Sequence, residues 1–486
     1  MNNLCDDNKN SLLTLEDVLA AVNGTCVSKT QGFCFTSVAT DSRNVTEKTL
    51  FVPLIGENQD GHKYIPQAIE KGASVVFVCG KNYKSDKKTY DDLEEKNPSV
   101  SFIIVNNTLA ALQEAAAKYV EKFPRLIRIG VTGSSGKTTT KEIAASILSQ
   151  KYNVITNKGN LNSETGVPLS VFNIRAENQI GLFEMGMNRK NEMAETASVL
   201  KPQYAVVTNI GTAHIGILGS RENIALEKSN IFNYFNGKGV AVLPCDDDFT
   251  KFLASKVNGK TVYYGEGARN SIVKFVKDKG LEGTEFTVGG ISVTLPLPGK
   301  YNFKNAEAAV ALAGMLGLSP AEIVNGIKKM KPLFGRSEVL HGKYTIIQDC
   351  YNANPDSMEK SIDFCSSCSV SASQKRVYIL GDMLELGEDS KEAHHNVGVM
   401  AAHGNASLLI FIGKEMEEAA KAAKTENCGA VVIQISEKDE EAMYKVVDAL
   451  HAFAHQGDLI LIKGSRGMGL ERITAMIDPS LAREGE

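Results

Sequence analysis

The sequence predicts an α/β protein of three domains, a small N-terminal α/β unit followed by two units built on parallel sheets. Three observations carry this prediction. The 486 residues exceed the size at which one hydrophobic core keeps growing. The strand Leu126-Ile-Arg-Ile-Gly-Val131 runs straight into a glycine-rich loop, and Lys141 to Ser149 continues as a helix. After Arg336 the alternation of short apolar strands with helices begins again.

In the N-terminal unit, Leu50-Phe-Val-Pro-Leu54 reads as a short strand and Gly56 to His62 as a polar, turn-rich loop. A helix from Ile65 to Lys71 and a second strand, Ser74-Val-Val-Phe-Val78, complete a small α/β motif. The stretch Lys81 to Ser99 is dense in Lys, Asp, Glu and Asn, which suits a surface excursion. The first boundary is set soon after it, giving a domain over 1–105.

Ala110 to Lys122 reads as an alanine-rich helix leading to Pro124, at the start of a central domain over 106–332. Its further strands, Asn153 to Thr156, Gln179 to Glu184 and Tyr204 to Thr208, alternate with helices as in a doubly wound sheet. The last domain, 333–486, has strands at Tyr344 to Gln348, Arg376 to Leu380, Leu408 to Ile412, Ala430 to Ile433 and Asp458 to Lys463. Its length is an ordinary domain size.

Composition narrows the function. With 43% hydrophobic and 23% charged residues the chain is that of a soluble globular protein, and a net charge of -4 argues against a protein devoted to nucleic-acid phosphates. Met1 to Asn10 is polar and lacks the layout of a signal peptide, and no apolar run reaches the length of a membrane span. Ala306 to Leu318, the richest stretch, carries Glu307 and reads as a buried helix; a cytoplasmic location is expected. Nine cysteines with one isolated C-x-x-C, Cys365 to Cys368, make reduced, unremarkable thiols the default.

The loop Gly130-Val-Thr-Gly133-Ser134-Ser135-Gly136-Lys137-Thr138-Thr139 sits where backbone N–H groups and a helix dipole cradle phosphates. Lys137 is placed to reach the β- and γ-phosphates of ATP and Thr138 to offer a hydroxyl to Mg²⁺. The spacing departs from the strict pattern, since Val131 stands where the first glycine belongs and Gly130 comes one residue early. The central domain is therefore expected to be a P-loop ATPase-type sheet and the C-terminal one a Rossmann-like α/β domain. Glu184, ending the strand after Ile180, would alone read equally as a solvated strand end, but with the phosphate loop upstream it is expected to be a Mg²⁺ ligand. His214 and Lys228 follow another strand, and nothing in their local sequence promotes either above a structural residue.

Taken together, these segments resemble the Mur ligases, the ATP-dependent amide-forming enzymes of peptidoglycan precursor synthesis, over nearly the whole chain. The resemblance implies that Thr138 and Glu184 hold one Mg²⁺ and His214 a second, with Lys228 carbamylated by CO₂ to help hold it. Thr156 to Asn162 is similar to the family's substrate-facing loop, with Asn160 and Asn162 near the reacting centre; Asn157-Lys158 is no guanine motif, because Asn160 stands where that motif needs an aspartate. Gly299-Lys-Tyr301-Asn302-Phe-Lys-Asn305 resembles a nucleotide-contacting element in which Tyr301 replaces the usual histidine, leaving Asn302 and Asn305. Arg336 resembles the arginine that reaches the γ-phosphate and Asp349 the carboxylate that binds the ribose.

Within the family, Asp349-Cys-Tyr-Asn352-Ala-Asn354-Pro-Asp-Ser357, Gly381 to Gly387 and Lys463-Gly-Ser-Arg466 look like the member that joins D-alanyl-D-alanine to UDP-N-acetylmuramoyl-tripeptide through an acyl phosphate. Asp41-Ser42-Arg43 and Asp60-Gly61-His62 resemble the part that holds the UDP-sugar. Lys137, Lys228, His214 and Arg336 are then the catalytic set, with Asn352 and Asn354 on the substrate side, and a monomer is expected. The competing readings are a relative that adds a diamino acid and a non-ligase P-loop NTPase that drives a partner. The first lacks its Asp-Asn-Pro-Arg motif here, and the second lacks a basic face or membrane segment.

Overall fold

The computed structural model describes residues 11–28, 33–56, 59–371, 373–426 and 429–481. The polar stretch Met1 to Asn10 lies outside the described residues, as do positions 57 and 58 of the loop Gly56 to His62. Four sheets organise the rest. β1 (Thr25–Cys26), β2 (Ser37–Ala39), β3 (Thr49–Phe51), β4 (Ala73–Cys79) and β5 (Ser101–Val105) form the first, in the order β1-β5-β4-β3-β2 with only β1 antiparallel. The charged stretch after β4 lies at the surface, as its composition suggests, and is regular. It forms two helices, Gly80–Ser85 and Lys87–Lys96, the second capped by Asp86 and anchored by the buried Tyr90.

The central sheet takes β6 (Ile127–Thr132), β7 (Val154–Thr156), β8 (Ile180–Glu184), β9 (Tyr204–Val207), β10 (Gly239–Pro244) and β11 (Gly259–Tyr264) in the order β11-β10-β9-β6-β8-β7. All its strands are parallel, and burial on both faces explains the continuous apolar runs of β8, β9 and β10. Its register aligns Val131 with Glu184 and Thr132 with Val207. The carboxyl ends of three neighbouring strands thus open into one crevice, the place where open α/β sheets bind ligands. A small antiparallel sheet of β12 (Val273–Asp278), β13 (Thr284–Val288) and β14 (Ile291–Leu295) follows; the sequence reading names no strand there, nor at β10 and β11.

The last sheet consists of β15 (Glu338–His341), β16 (Thr345–Asp349), β17 (Arg376–Gly381), β18 (Leu408–Ile412), β19 (Val431–Ile435) and β20 (Leu459–Lys463), ordered β15-β16-β20-β17-β18-β19. Only β15 runs antiparallel. One apolar cluster joins the N-terminal unit to one face of the central sheet, across the helix Thr108–Glu121, whose Tyr119 hydroxyl donates to Ile174 O at 2.7 Å. A second cluster packs the helix Lys300–Met315 and the small sheet on the other face, and two more cover the C-terminal sheet. The Ala306 to Leu318 stretch is accordingly helical up to Met315 and largely buried.

Candidate functional site

A cavity of about 1170 Å³ lies between the central and C-terminal sheets. The loop from Gly133 to Thr139 forms its floor, where β6 gives way to the helix Lys137–Leu148. Gly136 caps that helix with φ +79° and no side chain, so the first N–H groups of the helix stay free to receive an anion. A Cβ there would sit 2.4 Å from Asn305 Oδ1, so glycine alone allows this approach. The end of β9 braces the loop: Thr208 Oγ1 donates to Ser135 O at 2.6 Å, Ser135 N–H to Asn209 Oδ1 at 3.1 Å, and Gly211 N–H to Ser134 Oγ at 2.8 Å.

Lys137 Nζ donates to Gly133 O at 3.0 Å, and burial, joined by the Arg336 charge against the pull of Glu184, holds its amine below the ordinary value. Glu184 is buried and accepts two short hydrogen bonds, from Thr138 Oγ1 at 2.5 Å and from Asn162 Nδ2 at 2.6 Å. Burial alone would raise its carboxyl. The charges of Lys137 and Arg336, with those two hydrogen bonds, outweigh burial and hold the group below the usual carboxylate range. An ionised carboxylate thus stands between the phosphate loop and Asn162 of the Thr156 to Asn162 loop.

His214 adopts a left-handed backbone, φ +67°, at the start of the short helix Ile215–Leu218. Its Nδ1 lies 3.9 Å from Glu385 Oε2 of the C-terminal domain and is buried without a hydrogen-bond partner. Burial first, then the charges of Lys228 and Lys137, push the imidazole down to about 3, so it is neutral at physiological pH and free to act as a ligand. Lys228, on the helix Arg221–Ser229, is fully buried with Nζ lacking any hydrogen-bond partner. Burial and Lys137 drive its amine well down, opposed by Glu227 and Glu184. It lies beneath the cavity wall and is not among the lining residues.

From the C-terminal domain, Arg336 stacks over the Tyr351 ring at 4.1 Å, and both face the cavity. Asp349, at the end of β16, accepts from Ser337 N–H at 3.1 Å, Ser361 Oγ at 2.6 Å and Lys463 Nζ at 2.6 Å. Asn302 and Asn305 are buried and joined by a 3.2 Å hydrogen bond, with Asn302 Nδ2 donating to Pro298 O at 2.7 Å. Tyr301 turns its hydroxyl to Ser337 Oγ at 2.7 Å and its edge to Phe364, across the boundary between the two domains.

Asn160, Asn162, Asn352 and Asn354 all line the cavity, although Asn354 also caps the helix Pro355–Ser367 by accepting from Ser357 N–H at 2.9 Å. Ser42 and Arg43 are not brought here. They sit in the N-terminal unit, Ser42 buried against Gln67 at 2.7 Å and Arg43 exposed and paired with Asp41 at 2.6 Å. Cys365 and Cys368 are free, and burial pushes the Cys368 thiol up to about 11.

Three contacts escaped the sequence. Lys463 neutralises Asp349 from the facing strand. Asp356 Oδ2 accepts Thr212 N–H at 2.9 Å, tying the C-terminal domain to the His214 loop, and Asn157 bonds the main chain of Glu184. Each is a pairing between distant segments; for Asn157 the only local signal was its place within the substrate-facing loop.

The donors suit a hard divalent cation in part. Thr138 Oγ1 and Glu184 Oε2 offer two oxygens side by side, whereas no group of three or more His, Cys, Asp or Glu side chains among the described residues could hold a metal unaided. A Mg²⁺ at Thr138 and Glu184 would therefore draw further ligands from phosphate oxygens. His214 Nδ1 and Lys228 Nζ, both buried and unpaired, fit a second ion only if the lysine carries an added oxygen ligand.

Three family models match the chain: the Mur ligase family, catalytic domain over residues 35–120, the Mur ligase middle domain over 131–313 and the Mur ligase, glutamate ligase domain over 335–466. The UDP-N-acetylmuramoyl-tripeptide--D-alanyl-D-alanine ligase of Treponema pallidum is 40% identical over 472 residues, spanning 96% of this chain and 99% of that one. The ligase of the same name from Bacillus subtilis is 34% identical and spans 95% and 97%. Among solved structures, MurF from Acinetobacter baumannii superposes with a TM-score of 0.81 at 30% identity, covering 96% of this chain and 98% of its own. MurF ligase from Thermotoga maritima in complex with ADP gives 0.74 at 27% identity, covering 92% and 97%.

Proposed function

The chain belongs to the Mur ligase family, and from that premise we propose how its residues divide the work. It is an ATP-dependent ligase that joins D-alanyl-D-alanine to UDP-N-acetylmuramoyl-tripeptide. The observation that carries the assignment of residues is the meeting of Lys137, Thr138, Glu184 and Asn162 from the central domain with Arg336 and Asp349 from the C-terminal one in a single cavity.

A carboxylate becomes an electrophile only when one oxygen gains a good leaving group. In the proposed course the terminal carboxylate oxygen of the tripeptide bonds to the γ-phosphorus, and the bridging oxygen leaves with its electron pair on ADP. Lys137, Arg336 and the helix N-terminus after Gly136 offset the charge spread over the γ-phosphate oxygens. The amine of D-alanyl-D-alanine then attacks the acyl carbon, phosphate departs with its bond electrons, and the amine loses a proton. Asn160 and Asn162 hold the acceptor, and Asn352 and Asn354 face it from the opposite wall. The cleft excludes water from the acyl phosphate.

Thr138 and Glu184 would hold Mg²⁺, and His214 with a carbamylated Lys228 a second ion; bound there, the metals supply charge neutralisation to the phosphates. Nucleotide binding falls to Gly133, Ser134, Ser135, Gly136, Thr139, Asn302 and Asn305, with Asp349 toward the ribose. Ser42 and Arg43 take the UDP-sugar end, and domains over 1–105, 106–332 and 333–486 are supported by the confinement of the first, middle and last sheets to those ranges. A monomer in the cytoplasm is the expected working form; no helix among the described residues is long and apolar enough to cross a membrane.

The test is product mass spectrometry with ATP and both substrates. The expected product is the UDP-linked pentapeptide, with one phosphate released per ligation. Phosphate release indifferent to both substrates would overturn the reading.

A further inference from the structure

Asn157 is 2% exposed and follows β7 at the edge of the central sheet. Its Nδ2 donates to Leu161 O at 2.7 Å and to Glu184 O at 2.9 Å, and its Oδ1 accepts Glu184 N–H at 2.9 Å. Both amide hydrogens are used. Turning the amide over would face its oxygen to two carbonyl oxygens and its NH₂ to an N–H, so the partners fix its orientation. Beneath it, the buried Lys141, from the helix after the phosphate loop, donates Nζ to Asn157 O at 2.7 Å.

These bonds converge on one relationship. The Glu184 main chain is held at both its N–H and its carbonyl, while the same side chain closes the loop that carries Asn160 and Asn162 through Leu161 O. Asn162 in turn accepts Gly186 N–H on its main-chain oxygen at 2.7 Å and donates Nδ2 to Glu184 Oε1 at 2.6 Å.

We infer that Asn157 is a positioning residue for the ligation: it sets the substrate-facing loop against the Glu184 carboxylate and, through Lys141, against the nucleotide loop. It touches no reacting atom and acts through Asn160, Asn162 and Glu184. The inference rests on reading that loop as substrate-facing.

The test compares Asn157→Asp and Asn157→Ser with Asn160→Ala and Asn162→Ala in the full chain. Asn157→Asp keeps the acceptor for Glu184 N–H but turns oxygens toward two carbonyls; Asn157→Ser keeps a hydroxyl too short to span both segments. The expected result is a rise of about tenfold in KM for UDP-N-acetylmuramoyl-tripeptide, a fall of similar size in kcat, and an ATP dissociation constant by equilibrium dialysis within about twofold of wild type. A fall in thermal midpoint with both KM values and kcat unchanged would show a purely structural residue and overturn the proposal, as would ATP binding lost in step with turnover. If the Asn160 and Asn162 variants shift the tripeptide KM and the Asn157 variants do not, the proposal fails and the loop reading stands. Should none of the four shift it, the loop reading falls and takes the proposal with it.

Discussion

Glu307 offers a sharp test of the electrostatics beside the nucleotide loop. It stands two residues past Asn305 on the helix Lys300–Met315, and burial, followed by the charges of Asp246 and Glu266, pushes its carboxyl up from 4.5 to about 7 against the pull of Lys304. The folded protein therefore binds this proton more tightly than the unfolded chain does. Folding takes up a proton between pH 4.5 and 7, so stability falls as pH rises through that window and the loss is complete above it. A shift of that size corresponds to about 3 kcal/mol, which partial exposure to water reduces to roughly 1–2 kcal/mol. Glu307→Gln keeps the shape and removes the charge. At about pH 8 it should raise the thermal midpoint by several degrees, at ~2–4 °C per kcal/mol for a domain of this size. Near pH 4.5, where the folded-state carboxyl already carries its proton, the gain should vanish. Because the chain has no tryptophan, circular dichroism is the practical reporter. An equal gain at both pH values would assign the effect to packing, and no gain at pH 8 would refute the reasoning.

Three further outcomes follow from the site. Thr138→Val removes the hydroxyl that bonds Glu184 without changing side-chain size; kcat should drop about 10²-fold with little change in melting, and unaltered turnover would count against Thr138 as a ligand. Lys228→Met fills the same space without a buried, unpaired amine, so melting should hold or rise while ligation is lost by about 10³-fold; a variant that still ligates removes Lys228 from the catalytic set. Gly211→Ala would put a Cβ 2.0 Å from Asp356 Oδ2, so the contact between the His214 loop and the C-terminal domain should break, with ATP binding kept and kcat reduced; a crystal structure of the variant with Asp356 still on Thr212 would show the contact to be more tolerant.

The parts of this molecule that sequence revealed are those written in contiguous residues. Gly136-Lys137-Thr138 carries its own geometry, because a strand, a left-handed glycine and a helix start are local events. Parallel strands such as β8 and β18 announced themselves as apolar runs, since a strand covered on both faces buries every position, whereas β10 and β11 were not read. The charged stretch after β4 read rightly as surface but its helices did not show, because helices resting one side on a domain keep few apolar residues, here Tyr90 in Lys87–Lys96. In the small antiparallel sheet, β12 hides its period because Phe275 and Val276 are both exposed, although Thr284–Val288 and Ile291–Leu295 do alternate apolar and polar residues. Within the site, Glu184 was legible from its place at a strand end beside the phosphate loop, whereas His214 and Lys228 entered through resemblance; composition offered no reason to prefer those two. Tyr301 shows how a departure from the family pattern is absorbed, its hydroxyl finding Ser337 in the next domain. The engagement of Asp349 by Lys463 had no sequence signal, since the two are partners in register yet lie far apart along the chain.

That last pairing bears on how the protein is made. β20 is the final strand in sequence but occupies the middle of its sheet, between β16 and β17, whereas the last strand of the central sheet, β11, lies at an edge. A chain emerging from the ribosome completes the central sheet by inserting β8 between β6 and β7 and then adding β9, β10 and β11 outward. Its C-terminal sheet stays split in two until residues 459–463 slot in, and only then does Lys463 meet Asp349. Until then the cavity lacks the ion pair that Lys463 and Asp349 place on its C-terminal side.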